Sequence, residues 1–161
     1  MKKILIKIYV FLYRLTACSV ILCAVTLLVL YLCGIHGYIV KTGSMEPAVH
    51  VGSICFVNHR TPFEDVHEGD IITFKAGETM LVTHRAVGID ESGITTRGDA
   101  NNTDDTAKVT KNEFIGKNVF SLPYIGNFVM LMYSGRGRVI LAEILLLFGI
   151  AGILYDRIKG E

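Results

Sequence analysis

Residues 15–34 contain no charged side chain, and this apolar stretch limits what the chain can fold into more than any other feature. As an α-helix it would be about 30 Å long, which matches the hydrocarbon core of a bilayer. Basic side chains precede it at Lys2, Lys3, Lys7 and Arg14. Because basic flanks tend to stay in the cytoplasm, we predict a cytoplasmic segment over residues 1–14, a transmembrane helix over 15–34 and an outer-face domain beyond it.

A cleaved signal peptide is the alternative interpretation of this region. Such a peptide also begins with basic residues, but its apolar run is shorter and ends in a site with small residues such as Ala-x-Ala. Residues 33–37 (CGIHG) do not provide that site. Residues 15–18 (LTAC) resemble a lipoprotein cleavage box, but they precede the apolar run instead of following it. The segment is therefore predicted to be a permanent anchor.

Composition argues for a membrane protein and against nucleic-acid binding, a disulfide framework and a zinc site. Apolar residues make up 51% of the 161 residues, which is high for a soluble protein of this length. The net charge of +1 provides no positive field for a nucleic-acid backbone. Three cysteines fall in the apolar stretch and Cys55 stands alone, so neither a disulfide framework nor zinc-ligand spacing is present. We expect no nucleic-acid partner, no metal and no organic cofactor.

Beyond the apolar stretch the pattern changes to short β-rich runs separated by turn residues. The six candidate strands are residues 38–40, 53–57, 70–75, 80–89, 93–97 and 114–120. Six short strands without a helical period predict a mainly β fold, in which one small all-β domain occupies residues 35–138 on the outer face of the membrane.

Two further apolar segments follow the predicted strands. Residues 122–132 are interrupted by Pro123 and Gly126, so they are too irregular to span a bilayer. They could lie along the membrane surface or close the β core, and the core is favoured. Residues 139–155 are interrupted only by Glu143 and are predicted to form a second transmembrane helix, which would return residues 156–161 to the cytoplasm as a tail.

Three polar segments of the β region carry candidate catalytic residues. Ser44 lies in residues 42–47 (TGSMEP), where glycine and proline predict a turn. His84 lies within a strand pattern, and residues 97–105 (RGDANNTDD) form an acidic loop directly after a strand. Taken singly, each has a plain structural explanation: a hydroxyl bonded to nearby backbone, a surface or core histidine, and a solvated loop or weak calcium site. The loop does not have the spacing of a twelve-residue calcium loop.

Together, a serine, a histidine and an aspartate supply the parts of a nucleophile, a base and an orienting acid. A serine hydroxyl is unreactive at its own pKa, so a neutral imidazole must remove its proton during attack. A carboxylate then fixes the tautomer of the imidazole and stabilises its protonated form.

The three segments resemble the signature motifs of type I signal peptidases. They are residues 42–47 (TGSMEP), residues 83–85 (THR) and residues 98–105 (GDANNTDD). The histidine makes the chain similar to the Ser-His-Asp branch, family S26B, which is the endoplasmic-reticulum type found in eukaryotes, archaea and some spore-forming Gram-positive bacteria. The bacterial-type branch uses lysine as the general base. The likeness covers roughly residues 38–132.

The resemblance implies a serine endopeptidase that removes signal peptides from exported preproteins after small residues at positions −1 and −3. Ser44 would be the nucleophile and His84 the base. The family's loop holds two aspartates six residues apart, matched here by Asp99 and Asp105. We expect Asp105 to orient the histidine and Asp99 to be an essential supporting residue, with Asp104 the less favoured third candidate.

The resemblance also assigns roles next to Ser44. The Ser44 amide and the Thr42 hydroxyl would form the oxyanion hole, and Met45 would line the pocket for a small substrate side chain or touch lipid. The expected partners are signal peptides of secretory preproteins, the lipid bilayer and membrane partner subunits, and the expected location is a bacterial plasma membrane. The alternative is a catalytically inactive, membrane-anchored β domain that acts as a scaffold or subunit.

Overall fold

The computed structural model describes residues 2–160 of the chain. Contacts within the chain divide it into two compact units. One unit comprises Leu30–Phe128, and the other joins the chain before residue 30 to the chain after residue 128. The β strands lie in the first unit and most of the helical residues lie in the second.

The N-terminal helix α1 extends over Lys2–Leu32. It begins earlier than the predicted span of residues 15–34, because residues 2–14 contain no glycine or proline that would stop a helix. Among residues 2–160, α1 is the one helix that is long and apolar enough to cross a membrane, over Ile6–Leu32, as judged from length and composition.

The C-terminal end of α1 has defined hydrogen-bond partners. Gly34 follows the helix with a φ of +82°, a left-handed conformation that glycine adopts without steric cost, and its N–H donates to the Tyr31 carbonyl at 2.9 Å. The Arg60 guanidinium Nη2 donates to the Leu32 carbonyl at 2.7 Å. A cation at a helix C-terminus is favourable because that end carries partial negative charge. The last turn of α1 is thus capped by a residue of its own unit, Leu30–Phe128.

Six strands form one antiparallel sheet, which confirms the predicted mainly β fold. The strands are β1 Ile35–Ile39, β2 Ile54–Asn58, β3 Ile71–Ala76, β4 Met80–Asp90, β5 Gly93–Arg97 and β6 Phe114–Leu122. Their order in the sheet is β1-β2-β6-β3-β4-β5. All six match predicted runs to within a few residues at each end. The crossover places β6 between β2 and β3, which the sequence pattern does not indicate.

Two clusters of buried side chains form the core of the β unit. The first contains Val66, Ile72, Phe74, Ala86, Ile94 and Val109, and it packs on strands β3, β4 and β5. The second contains Met45, Val49, Cys55 and Val57, and it packs between β2 and the loop that follows β1. Burial raises the pKa of the Cys55 thiol to about 11, so this cysteine is a core residue with little thiolate character.

We expected the segment after β6 to close the β core, but it does not. It forms helix α2, Ile125–Tyr133, and several of its large apolar side chains are exposed, with Phe128 61% exposed. Only Gly126 is buried; a Cβ there would lie 2.8 Å from the Gly52 carbonyl oxygen. Helix α2 therefore approaches the β unit through the backbone of its first turn.

Helix α3, Gly135–Gly160, contains all of residues 139–155. The Ser134 hydroxyl accepts the Gly137 N–H at 3.1 Å and so caps the start of the helix. The rings of Tyr155 in α3 and Tyr9 in α1 stack with centroids 5.3 Å apart. The predicted second transmembrane span remains a prediction. The helix begins at Gly135, inside the range 35–138 predicted for the outer-face domain, and the bounds of that domain also remain a prediction.

The first core cluster is expected to limit the stability of the β unit. Ile72 is fully buried at the middle of the sheet, so Ile72→Ala should lower the free energy of unfolding by about 2–5 kcal/mol. Urea unfolding of the detergent-solubilised full chain measures this change. Val119→Ala, at a half-exposed position on β6, is the matched control and should change stability by no more than about 0.5 kcal/mol. Equal effects of the two substitutions would contradict this description of the core.

Candidate active site

Ser44 lies on a turn in the loop between β1 and β2, as the sequence predicts. The Glu46 N–H donates to the Gly43 carbonyl at 3.1 Å, and the Val49 N–H donates to the Met45 carbonyl at 2.8 Å. Met45 is only 2% exposed and belongs to the second core cluster. The burial of Met45 therefore anchors the turn and fixes the position of the adjacent serine.

His84 lies on β4, which has β3 on one side and β5 on the other. It pairs with Ile72 across the sheet, and its ring meets the edge of Phe74. The His84 Nε2 lies 3.0 Å from the Ser44 Oγ, although 40 residues separate them in sequence. With its proton on Nδ1, the imidazole can accept the serine hydroxyl at Nε2.

Asp105 holds the other side of the imidazole. Its Oδ2 lies 2.6 Å from His84 Nδ1 and is also 2.6 Å from the Thr96 hydroxyl, which donates to it. The Asp105 N–H donates to the Thr96 carbonyl at 2.8 Å. The structure therefore brings together Ser44, His84 and Asp105, which is the aspartate that the sequence favoured for this position.

Asp99 is held elsewhere, by a bidentate pair with Arg85. The Arg85 Nε and Nη2 donate to its two carboxylate oxygens at 2.8 and 2.6 Å, and Nη1 donates to the Gly69 carbonyl at 2.7 Å. The hydrogen bond to Asp99 raises the pKa of Arg85 further above its ordinary value. Asp99 thus ties the loop after β5 to β4, next to the histidine, and does not contact the imidazole.

Asp104 pairs with a third partner at the surface, where its Oδ1 lies 3.3 Å from Arg97 Nη1. The three aspartates of the acidic loop therefore face three different side chains. Among the residues that the structure describes, no group of three or more histidine, cysteine or acidic side chains could hold a metal ion.

Gly98 approaches both catalytic candidates and was not singled out by the sequence analysis. A Cβ at this position would lie 2.5 Å from the Ser44 carbonyl oxygen and 3.1 Å from His84 Nε2. The neighbouring Ala100 N–H donates to the same Ser44 carbonyl at 2.9 Å. Glycine is needed here because the backbone of the loop packs directly against the serine and the histidine.

A cavity of about 570 Å³ opens beside Ser44 and His84. One wall is the extended segment of residues 39–42 and the other is the first half of β4. Strand β4 pairs with β3 over Met80–Arg85 but with β5 only from Arg85 onward. Within residues 2–160, the second edge of residues 80–84 has no strand partner, so its backbone groups face the cavity.

Thr42 and Met45, the two remaining candidate residues, also line this cavity. Thr42 is exposed, whereas Met45 contributes to the cavity wall from the core. No acceptor for the Ser44 N–H is present among the described residues, so this amide is free to donate to a substrate oxygen. The oxyanion role of the Thr42 hydroxyl and the pocket role of Met45 stay predictions.

A hydroxyl, an imidazole and a carboxylate connected in this order define the nucleophile, base and orienting acid of serine hydrolases. The chain belongs to the signal peptidase family, peptidase S26, whose sequence profile matches residues 12–120. The match includes the whole of the site described above.

Similar proteins include members from bacteria and eukaryotes. Signal peptidase I W of Bacillus subtilis (strain 168) is 37% identical over 83 residues, which are 47% of this chain and 44% of that protein. The signal peptidase complex catalytic subunit SEC11C of Homo sapiens is 29% identical over 107 residues, 58% of this chain and 55% of that protein. The SEC11 subunit of Metarhizium acridum (strain CQMa 102) is 28% identical over 106 residues. The chain spans about half the length of the curated relatives it matches.

Replacement of Gly98 tests the close packing around the serine. Gly98→Ala should lower the turnover of a cleavable peptide substrate by about 100-fold, because displacing reacting groups by about 1 Å can cost that much. The rate of substrate cleavage by the full chain measures the change. Gly88→Ala is the control, since a Cβ there would meet Thr95 only at an ordinary 3.7 Å. Unchanged turnover in Gly98→Ala would show that the loop does not constrain the site.

Proposed function

We propose that this chain is a membrane-anchored serine endopeptidase that removes signal peptides from secretory preproteins. The observation that carries the proposal is the connection of Ser44 Oγ through His84 to Asp105 at the side of an open cavity, within a member of the signal peptidase family. The same connection disfavours an inactive scaffold, which would not need these three side chains in hydrogen-bond contact.

The reaction follows from the hydrogen bonds of the site. As Ser44 Oγ attacks the scissile carbonyl, its proton moves to His84 Nε2, and the negative Asp105 stabilises the imidazolium that forms. The charge on the carbonyl oxygen is stabilised by the free Ser44 N–H and the Thr42 hydroxyl. His84 then donates its proton to the leaving amine, and water hydrolyses the acyl-enzyme by the same steps.

An extended peptide fits the cavity for a backbone reason. The unpaired edge of residues 80–84 offers amide and carbonyl groups with which a substrate strand can form ladder hydrogen bonds. Side chains alternate between the two faces of a strand, so positions −1 and −3 would face the same wall. Met45 lies in that wall beside the serine, which supports a preference for small side chains there.

Helix α1 supports anchoring in a membrane, with the β unit on the outer face because the basic residues lie at the other end of the helix. A second span within α3, over residues 139–155, would return the tail to the cytoplasm. We propose a bacterial plasma membrane as the location. Membrane partner subunits are also proposed, since the similar human protein is named as a subunit of a signal peptidase complex.

Substitution of the three site residues tests the proposed function. We expect detergent-solubilised full chain to cleave a preprotein with an Ala-x-Ala site, and Ser44→Ala and His84→Ala to yield only background product. Asp105→Asn should lower turnover by about 10⁴-fold, because the tautomer that accepts the serine proton is lost. Gel analysis of product over time measures these rates, with circular dichroism as the test of folding.

Asp104→Asn is the matched control for Asp105→Asn, since it changes the neighbouring carboxylate that pairs with Arg97 at the surface. It should retain nearly all activity. Cleavage by Ser44→Ala at the wild-type rate would exclude the serine mechanism, and a wild-type chain that binds but never cleaves would support the scaffold alternative.

The Thr42 hydroxyl is tested separately as an oxyanion donor. Thr42→Val should lower kcat by about 10²–10³-fold, which is the usual effect of removing one such donor, while the fold is retained. Thr42→Ser keeps the hydroxyl and is expected to restore most of the activity. Steady-state kinetics of the two variants measures the difference, and equal activity in Thr42→Val and wild type would remove Thr42 from the oxyanion hole.

A further inference from the structure

Thr96 contacts the site through Asp105 and has no role in the reaction as described above. It lies on β5 and is fully buried, with 0% of its surface exposed. Its hydroxyl donates to Asp105 Oδ2 at 2.6 Å, and its carbonyl accepts the Asp105 N–H at 2.8 Å. The side-chain hydroxyl and the backbone carbonyl of this one residue therefore hold the same aspartate.

The position of Thr96 is otherwise a core position. Ile94 precedes it by two residues on the same face of β5 and is also fully buried in the first core cluster. Valine has the shape of threonine and would satisfy packing alone, whereas a buried hydroxyl is stable only with a partner. The partner it has is the carboxylate that orients the catalytic imidazole.

The two donors to Asp105 share one oxygen. Oδ2 receives His84 Nδ1–H and the Thr96 hydroxyl, each at 2.6 Å, and these are the hydrogen bonds that residues 2–160 make to this carboxylate. The nearby charged groups are paired with each other, Arg85 with Asp99 and Arg97 with Asp104. Thr96 is thus the protein group, besides the histidine, that holds the orientation of Oδ2.

We propose that Thr96 is a positioning residue of this site: its hydroxyl holds the Asp105 carboxylate in line with His84. The proposal rests on the proposed peptidase function. The Thr96 hydroxyl is the second fixed donor to Oδ2, so the carboxylate keeps its orientation toward His84 Nδ1 while the proton moves.

Thr96→Val tests the proposal in the full chain. It should lower kcat by about 10–100-fold, the range that a lost hydrogen bond to a charged group produces, with KM within about twofold of wild type. Thr96→Ser, which keeps the hydroxyl, should restore kcat.

A double substitution separates positioning from a general structural effect. In an Asp105→Asn background, Thr96→Val should cause less than about a twofold further loss, since the residue through which Thr96 acts is already changed. A full additional loss would overturn the proposal, as would a Thr96→Val enzyme with wild-type kcat. If Thr96→Val does not fold, Thr96→Cys takes its place: its thiol is a weak donor, so an intermediate kcat is expected and wild-type kcat would overturn the proposal.

The same assay distinguishes this proposal from the proposed function. Wild-type cleavage that is lost in Ser44→Ala establishes the peptidase whatever the Thr96 variants do. Without wild-type cleavage, the proposed function fails and the Thr96 proposal fails with it. With wild-type cleavage and an unaffected Thr96→Val, only the role of Thr96 is refuted.

Discussion

The arrangement of the site depends on His84, whose two ring nitrogens each contact one partner. Nε2 faces Ser44 on the loop after β1, and Nδ1 faces Asp105 on the loop after β5, so one side chain connects parts of the chain that are 40 and 21 residues away. The contact requires β4 to lie in the sheet with its histidine facing both loops.

Both loops are held by groups that do no chemistry themselves. Met45 anchors the serine loop by entering the core, and Arg85 ties the aspartate loop to β4 through Asp99. Gly98 then lets the two loops touch, since a side chain there would collide with the Ser44 carbonyl oxygen. The positioning of the serine thus comes from buried packing, a bidentate ion pair and a missing Cβ, three contributions that are independent of the proton relay.

The sheet also leaves one strand edge open beside the cavity, a feature that folded proteins ordinarily avoid. An unpaired strand edge invites pairing with another chain, and β4 exposes such an edge over residues 80–84 because β5 begins to pair only at Arg85. The edge runs directly to His84. A peptide paired with this edge would extend along the strand to the serine. The short β5 therefore leaves room for the proposed cleavage of an extended segment.

Local sequence patterns predicted much of this protein. Alternation and turn residues predicted all six strands, and an uncharged stretch predicted α1. Three short segments contained Ser44, His84 and Asp105. Sequence could rank Asp105 above Asp99 only by resemblance, and it did not single out Thr96 or Gly98 or predict helix α2. Those features depend on which residues are paired across the sheet. The crossover puts β6 between β2 and β3, and the pairing of β4 with β5 shifts register between Ala86 and Gly88. Strand formation is a property of neighbouring residues, whereas the partner of a carboxylate is decided by packing between residues far apart in the chain, and only the tertiary structure specifies it.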